Sequence, residues 1–177
     1  MASALGVPRS VREVASVIQR RAGDVDLLRG RSVEGVASAA LCAACRLDGV
    51  PRSLDEITGV SRVGRTETGR AYRYLARELE MEPTDPRAYL RRYCSDLDLP
   101  ERVETRARGI LDAAAEAGLL SGRSPTRSAA AATYAACLLC EEKRSQAAIA
   151  EAAGVSEVTI RNRYREHLGA VGILDGV

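Results

Sequence analysis

The chain has 177 residues, of which 46% are hydrophobic and 28% charged, and its formal net charge is +2. This balance is typical of a folded globular protein and excludes an intrinsically disordered one. No apolar stretch is long enough for a membrane span or a secretory signal, so we expect an intracellular protein without membrane contact. Phe and Trp are absent while 29 residues are Ala, so the composition predicts an all-α fold.

Candidate catalytic groups are scarce. His167 is the single histidine, and no Gly-rich phosphate-binding loop of the Walker type occurs. The carboxylates alternate with arginines in the pattern of solvent-exposed helix faces, which argues against a hidden acid–base pair. We therefore expect no enzymatic activity and no cofactor. Because the net charge is small, any surface for nucleic acid would depend on where the arginines lie.

The sequence contains an internal repeat. Residues 5–79 align without a gap to residues 97–171 at an offset of 92, with identity at 24 of 75 pairs. Two copies of one structural unit follow from this alignment. We predict two domains, residues 1–81 and 82–177, joined near residues 81–85, where EPTDP supplies two prolines and a turn signal.

The apolar spacing within each copy predicts helices. In the first copy they cover residues 8–22, residues 32–48, a short helix capped by Ser53 with Glu56 in a capping box, and residues 65–80. The second copy repeats this order from residue 100 to about residue 168 and adds a helix over residues 85–97. The first copy retains only the end of that added helix, so we expect the bundle face that it would cover to be exposed.

Two cysteine pairs, Cys42/Cys45 and Cys137/Cys140, have the spacing of zinc ligands. We interpret them as packing residues, because each pair falls inside the most apolar helix of its copy, whereas zinc ligands occupy tight turns. The repeat also aligns Cys45 with Cys137 but leaves the other two unmatched. We expect neither a metal site nor a disulfide, and a small redox enzyme is only the third functional alternative.

Residues 145–168 have the pattern of a helix-turn-helix. A helix over residues 147–153 is followed by a Gly-containing turn and by a second helix that Ser156 can cap. In this second helix Ile160, Tyr164 and Leu168 recur on one face, which we predict to pack against the rest of the bundle.

The opposite face of the second helix presents Val158, Arg161 and Arg165 to solvent. An arginine can pair with a guanine edge and a branched apolar side chain can contact a thymine methyl group, so this face is typical of a DNA recognition helix. An ordinary solvent-exposed helix face would give the same pattern, and this segment alone does not separate the two. In the first copy Thr66 and Gly69 replace Val158 and Arg161, so that copy could hold DNA backbone without reading bases.

Four segments resemble the archaeal transcription initiation factor B family, the counterpart of eukaryotic general factor IIB, and the resemblance extends over essentially the whole chain. They are LGVPRSVREVASVIQRRA, GRSVEGVASAALCAACRLDGVPRSLDEI, GRAYRYLARELEMEPTDP and AGVSEVTIRNRYRE. The resemblance implies two tandem cyclin-like repeats of five helices that clasp the complex of TATA-box-binding protein and promoter DNA. It also implies that the helix-turn-helix of the second repeat reads the element just upstream of the TATA box.

The resemblance assigns roles to individual residues. Val158 and Arg161 are the implied base-reading residues. The implied contacts to the DNA backbone are Ser145, Gln146, Thr159, Arg163 and Arg165 in the second repeat and Arg62, Arg65 and Arg70 in the first.

The family normally begins with a Cys-rich zinc ribbon and a linker that engage RNA polymerase, and the present sequence has neither before Met1. A misplaced start, a fragment and a shortened paralogue remain open explanations. We expect a monomeric, nucleoid-associated general transcription initiation factor that stabilises TATA-box-binding protein on the promoter and, in the intact family, recruits polymerase. The alternative is a cyclin-like adapter that binds only protein, or a truncated paralogue that competes with the full-length factor.

Overall fold

The structure is a computed structural model that describes residues 1–24, 30–50, 52–81 and 84–173. Within these ranges the regular structure is entirely helical, which confirms the prediction of an all-α fold. The chain divides into two compact units, Met1–Pro83 and Thr84–Val177. Two residues of the predicted junction, Glu82 and Pro83, lie outside the described residues. No helix in the described ranges is long and apolar enough to cross a membrane.

The described part of the first unit contains four α-helices: α1 (Arg9–Asp24), α2 (Val33–Leu47), α3 (Leu54–Gly59) and α4 (Arg65–Glu78). Helix α2 is central, since it packs against the other three. Ten of its fifteen residues are buried. Most of these are Ala, Gly, Ser or Cys, and such small side chains allow neighbouring helices to approach closely.

Serine caps fix two helix starts in the first unit. Ser32 Oγ accepts a hydrogen bond from Gly35 N at 2.9 Å. Ser53 Oγ accepts from Glu56 N at 3.1 Å, and the Glu56 carboxylate accepts from Ser53 N at 2.7 Å. This reciprocal pair confirms the capping box predicted at the start of α3.

Part of the bundle face that we expected to be exposed in the first unit is covered, although Leu47 at the end of α2 is 61% exposed. Residues 2–6 form turns, and Ala2 and Leu5 pack against the core of the unit. Ser38 Oγ, on buried α2, lies 3.3 Å from Met1 Sδ. The prediction that these residues are the end of a helix was wrong, because residues 2–6 form turns that place Met1 against α2.

The second unit contains a short 3-10 helix, Pro86–Tyr89, and then α5 (Leu90–Asp96), α6 (Glu101–Glu116), α7 (Pro125–Leu139), α8 (Gln146–Ala153) and α9 (Glu157–Ala170). The helix predicted over residues 85–97 is thus split in two. Asp85 caps the 3-10 helix by accepting a hydrogen bond from Arg87 N at 2.8 Å. Both parts are anchored by buried side chains, including Tyr89 and Tyr93.

The repeat seen in the sequence is present in the structure. Helices α6, α7, α8 and α9 each begin 92 residues after α1, α2, α3 and α4. Three of the four pairs also have the same length, and only α8 is longer than its counterpart, α3. The two units therefore share one helical arrangement, and α5 with its 3-10 helix is the addition in the second.

Three of the four paired cysteines lie in helix interiors as predicted, and the fourth does not. Burial raises the thiol pKa of Cys45 to about 11 and that of Cys137 to about 12. Cys140 lies one residue beyond the end of α7 and is half-buried, which corrects its placement inside the helix. The cysteines in the described ranges are free thiols, and no group of potential metal ligands is found there.

Candidate nucleic-acid interface

Helices α8 and α9 form the helix-turn-helix that the sequence predicted. Ser145 Oγ caps α8 by accepting from Ala148 N at 3.1 Å, and Ser156 Oγ caps α9 by accepting from Thr159 N at 3.3 Å. Between them Gly154 has a φ of +61°, a left-handed conformation in which a side chain would be strained. The turn therefore depends on glycine at this position, and each cap sets where its own helix begins.

One face of α9 is held against the rest of the second unit. Ile160 is fully buried and Leu168 is 2% exposed, as predicted. Tyr164 is half-buried and its ring meets that of Tyr134 edge to face, with centroids 5.1 Å apart. Because these contacts fix the rotation of α9 about its axis, they also determine which side chains the helix presents to solvent.

The opposite face of α9 presents the predicted base-reading residues. Val158 is 57% exposed, and Arg161 is exposed. Arg165 is exposed as well, and its Nε donates to the Tyr164 hydroxyl at 3.2 Å. Arg161 forms no hydrogen bond or ion pair within the described ranges, so its guanidinium is available to an external acceptor.

The residues of the second unit that the resemblance assigned to contacts with the DNA backbone differ in their burial and in whether their polar groups are already hydrogen-bonded. Ser145 and Thr159 have engaged hydroxyl groups, because the first caps α8 and the second is paired with Ser156 Oγ at 2.9 Å. Gln146 is half-buried at the first position of α8. Arg163 is also half-buried, and burial, followed by the nearby Arg123, lowers the pKa of its guanidinium.

The structure adds two arginines to this surface that the sequence analysis did not select. Arg123 and Arg127 flank the start of α7, and after burial the positive charge of each contributes to lowering the pKa of Arg163. Arg123 pairs with Glu166 at 3.8 Å. The cluster combines three cations with the N-terminal end of α7, where Ser124 makes no side-chain cap, so it favours an anion. Arg123 belongs to the GRS triplet that the repeat places at residues 30–32 and 122–124, whereas no sequence pattern marked Arg127.

In the first unit the predicted backbone contacts are partly engaged in ion pairs. Arg62, 87% exposed, lies 3.5 Å from Glu34, and Arg65 pairs with Asp55. Arg70 is exposed and forms no ion pair within the described residues. These pairs lie at the surface, where they contribute little and can exchange partners readily.

The repeat places different side chains at the base-reading positions of the first unit. Thr66, aligned with Val158, is exposed, whereas Gly69, aligned with Arg161, is buried and has no side chain to extend. Helix α4 therefore matches α9 in position but lacks side chains like those of Val158 and Arg161.

The chain has two repeated helical units, and the second ends in a helix-turn-helix that exposes an arginine. These features define a class of two-repeat helical proteins with a candidate DNA-reading helix. The model of the family described as transcription factor TFIIB repeat matches residues 1–78 and again residues 79–169. The chain therefore belongs to the transcription factor TFIIB repeat family. This confirms both the resemblance noted in the sequence and the prediction of two tandem cyclin-like repeats.

Curated archaeal proteins are similar to nearly the whole chain. Transcription initiation factor IIB 7 of Halobacterium salinarum is 63% identical over 175 residues, which are 98% of this chain and 54% of the relative. Transcription initiation factor IIB 3 of the same organism is 62% identical over 97% of this chain and 55% of its own length. Transcription initiation factor IIB of Methanosarcina mazei is 57% identical over 94% of this chain and 50% of its own length. The chain thus spans about half the length of these relatives.

Proposed function

We propose that this protein is the promoter-binding core of a transcription initiation factor. It binds promoter DNA together with TATA-box-binding protein and reads the element upstream of the TATA box through α9. The observation that carries this proposal is that Arg161 is exposed on the second helix of the helix-turn-helix and has no hydrogen-bond or ion-pair partner among the residues that the structure describes. The names of the relatives, transcription initiation factors IIB, support the same role.

Base reading is assigned to the first half of α9. Recognition helices present their N-terminal residues to the major groove, and Val158 and Arg161 lie in the first five residues of this helix. A guanidinium can donate two hydrogen bonds to guanine O6 and N7, while the Val158 methyl groups fit beside a thymine methyl. Such a pair of contacts would discriminate a preferred element from others by about 1–3 kcal/mol per base pair.

Backbone binding is assigned to the arginine cluster beside α9 and to the first unit. Arg163, with Arg123 and Arg127, supplies positive charge around the start of α7, where phosphate would be stabilised by the helix terminus. The remaining proposed backbone contacts of the second unit are Ser145, Gln146, Thr159 and Arg165. Arg62, Arg65 and Arg70 would hold phosphates downstream, with the first two exchanging carboxylate partners for DNA.

The two proposed domains, residues 1–81 and 82–177, have different proposed roles in binding DNA. The second reads sequence, while the first positions DNA without reading bases because Gly69 stands where Arg161 would be. The proposed action is non-catalytic binding by a monomer at the chromosome. Recruitment of RNA polymerase belongs to the proposed role of the complete factor.

The test is binding of the chain and TATA-box-binding protein to labelled promoter duplexes, followed by gel shift. Arg161→Ala should weaken binding to a preferred upstream element by about 10- to 100-fold and binding to a scrambled element far less. Arg106→Ala is the matched control, because it removes one exposed arginine from α6, outside the helix-turn-helix. Equal losses on the two elements would contradict base reading by Arg161.

The salt dependence of DNA binding distinguishes the proposed function from the alternative, an adapter that binds only protein. Phosphate contacts release counterions, so binding to promoter DNA should weaken steeply between 50 and 200 mM salt, by about 10³-fold if six phosphates are contacted. An adapter that binds only protein would show no measurable binding to DNA at either salt concentration. That result would replace the proposed function with the adapter.

A further inference from the structure

The solvent-facing side of α1 is basic and contains an exposed apolar residue. This α1 outer face consists of Arg9, Arg12, Glu13, Val17 and Arg20, which recur every three to four residues along the helix. All five side chains are exposed, Val17 to 54%. The face is about 16 Å long from the first arginine to the last, which matches three turns of a partner helix.

The fold does not require these arginines. The repeat allows α1 to be compared with α6, because α6 occupies in the second unit the place that α1 occupies in the first. At the three positions equivalent to the α1 arginines, α6 has carboxylates, and the aligned pairs are Arg9/Glu101, Arg12/Glu104 and Arg20/Asp112. The charge is reversed while the helix is kept, so the arginines are not explained by helix packing.

The two faces also differ in how their charges are satisfied. On α6, Glu104 pairs with Arg108 at 3.1 Å, and Asp112 pairs with Arg87. On α1, Glu13 pairs with Arg9 at 2.7 Å, whereas Arg12 and Arg20 form no ion pair among the described residues. The α1 outer face therefore has two cations available to carboxylates from another molecule.

The α1 outer face belongs to a different part of the first unit from the proposed DNA contacts. Helix α1 packs against α2 and makes no extensive contact with α3 or α4 in the described residues. The one carboxylate of this face, Glu13, is already paired with Arg9, and Val17 gains nothing from contact with a phosphate chain. An acidic peptide with an apolar residue satisfies both Arg12 and Arg20 and also covers Val17.

We propose that the α1 outer face is a docking surface for an acidic amphipathic helix of a protein partner. Carboxylates of that helix pair with Arg12 and Arg20, and an apolar side chain between them packs on Val17. A second copy of the chain is the less suitable occupant, since its α6 has Gly109 at the position equivalent to Val17 and so offers no apolar side chain there to cover Val17. The inference is independent of DNA reading by α9.

The probe for this surface is a synthetic 16-residue helical peptide that carries glutamates flanking leucines on one face. Its binding to the full chain is measured by fluorescence anisotropy at low salt and mapped by NMR chemical shifts. The double variant Arg12→Glu/Arg20→Asp installs the residues found at the equivalent positions of α6, so the helix should still form. We expect it to weaken binding at least tenfold, and Val17→Asp to weaken it as well.

Arg106→Glu is the matched control, because it reverses the charge of an exposed arginine on α6 and leaves α1 unchanged. We expect it to change affinity less than twofold and the NMR shifts to be confined to α1. The proposal is overturned if the control weakens binding as much as the double variant, or if the shifts fall on α4 or α9. It is also overturned if the double variant abolishes self-association seen by light scattering, or weakens DNA binding as much as Arg161→Ala does.

Discussion

The burial of His167 makes the stability of the second unit depend on pH. This imidazole is 2% exposed in α9, and its Nδ1 has no hydrogen-bond partner within the described residues. Burial lowers its pKa to about 4 from 6.5, Arg163 and Arg123 act in the same direction, and Glu166 opposes them. In the first unit the aligned residue is Leu75, also buried, so an apolar side chain fits this position of the fold.

The direction of the change in stability with pH follows from whether the folded or the unfolded state protonates His167 at the higher pH. As the pH falls below about 6.5, the unfolded chain protonates at His167 while the folded chain does not, so the folded state loses relative stability. The loss is complete below the folded pKa of about 4. The full difference of about 2.5 pKa units corresponds to about 3 kcal/mol, of which about 2 kcal/mol is already lost at pH 5.

The assay is urea denaturation of the wild type and of His167→Leu at pH 7.5 and pH 5. We expect the free energy of unfolding of the wild type to fall by about 2 kcal/mol more than that of the variant. Comparing the two chains removes the contributions of carboxylates, which titrate alike in both. An equal fall in the two chains would refute the conclusion that His167 is buried in its neutral form.

Two further predictions concern the helix caps and the thiols. Ser156→Ala removes the side chain that accepts from Thr159 N, so it should lower the free energy of unfolding by about 1 kcal/mol. Urea denaturation measures this, and an unchanged midpoint would contradict a role for the cap. Iodoacetamide at pH 8 should modify half-buried Cys140 well before Cys45 and Cys137, whose thiol pKa values are raised by burial. Mass spectrometry of the native chain identifies the modified site, and prior labelling of a buried cysteine would show that the core opens readily.

The helices were predictable because their signals are local. Ser53 and Ser156 stand directly before the helices that they cap, and Gly154 marks a turn that only a left-handed residue can make. The apolar spacing in α9 likewise determines which face is buried, since a helix repeats every 3.6 residues. The repeat then transfers each such assignment from one unit to the other.

Features that depend on distant residues were not predictable from local signals. Arg62 and Glu34 are 28 positions apart in the sequence, and nothing in either segment specifies that they pair. The arginine cluster forms because the start of α7 lies beside α9, a contact that only the folded unit reveals. Likewise, the position of Cys140 beyond the end of α7 depends on a boundary that apolar content alone does not define.

The measurement that tests sequence reading by α9 most directly is selection of binding sites from a duplex library. The library is randomised upstream of a TATA box, and selection is carried out with TATA-box-binding protein and either the wild type, Arg161→Ala or Arg106→Ala. We predict that the wild type and Arg106→Ala enrich the same upstream motif, containing a guanine whose preference Arg161→Ala loses. Enrichment of the same motif by all three chains, or of none by the wild type, would contradict the account.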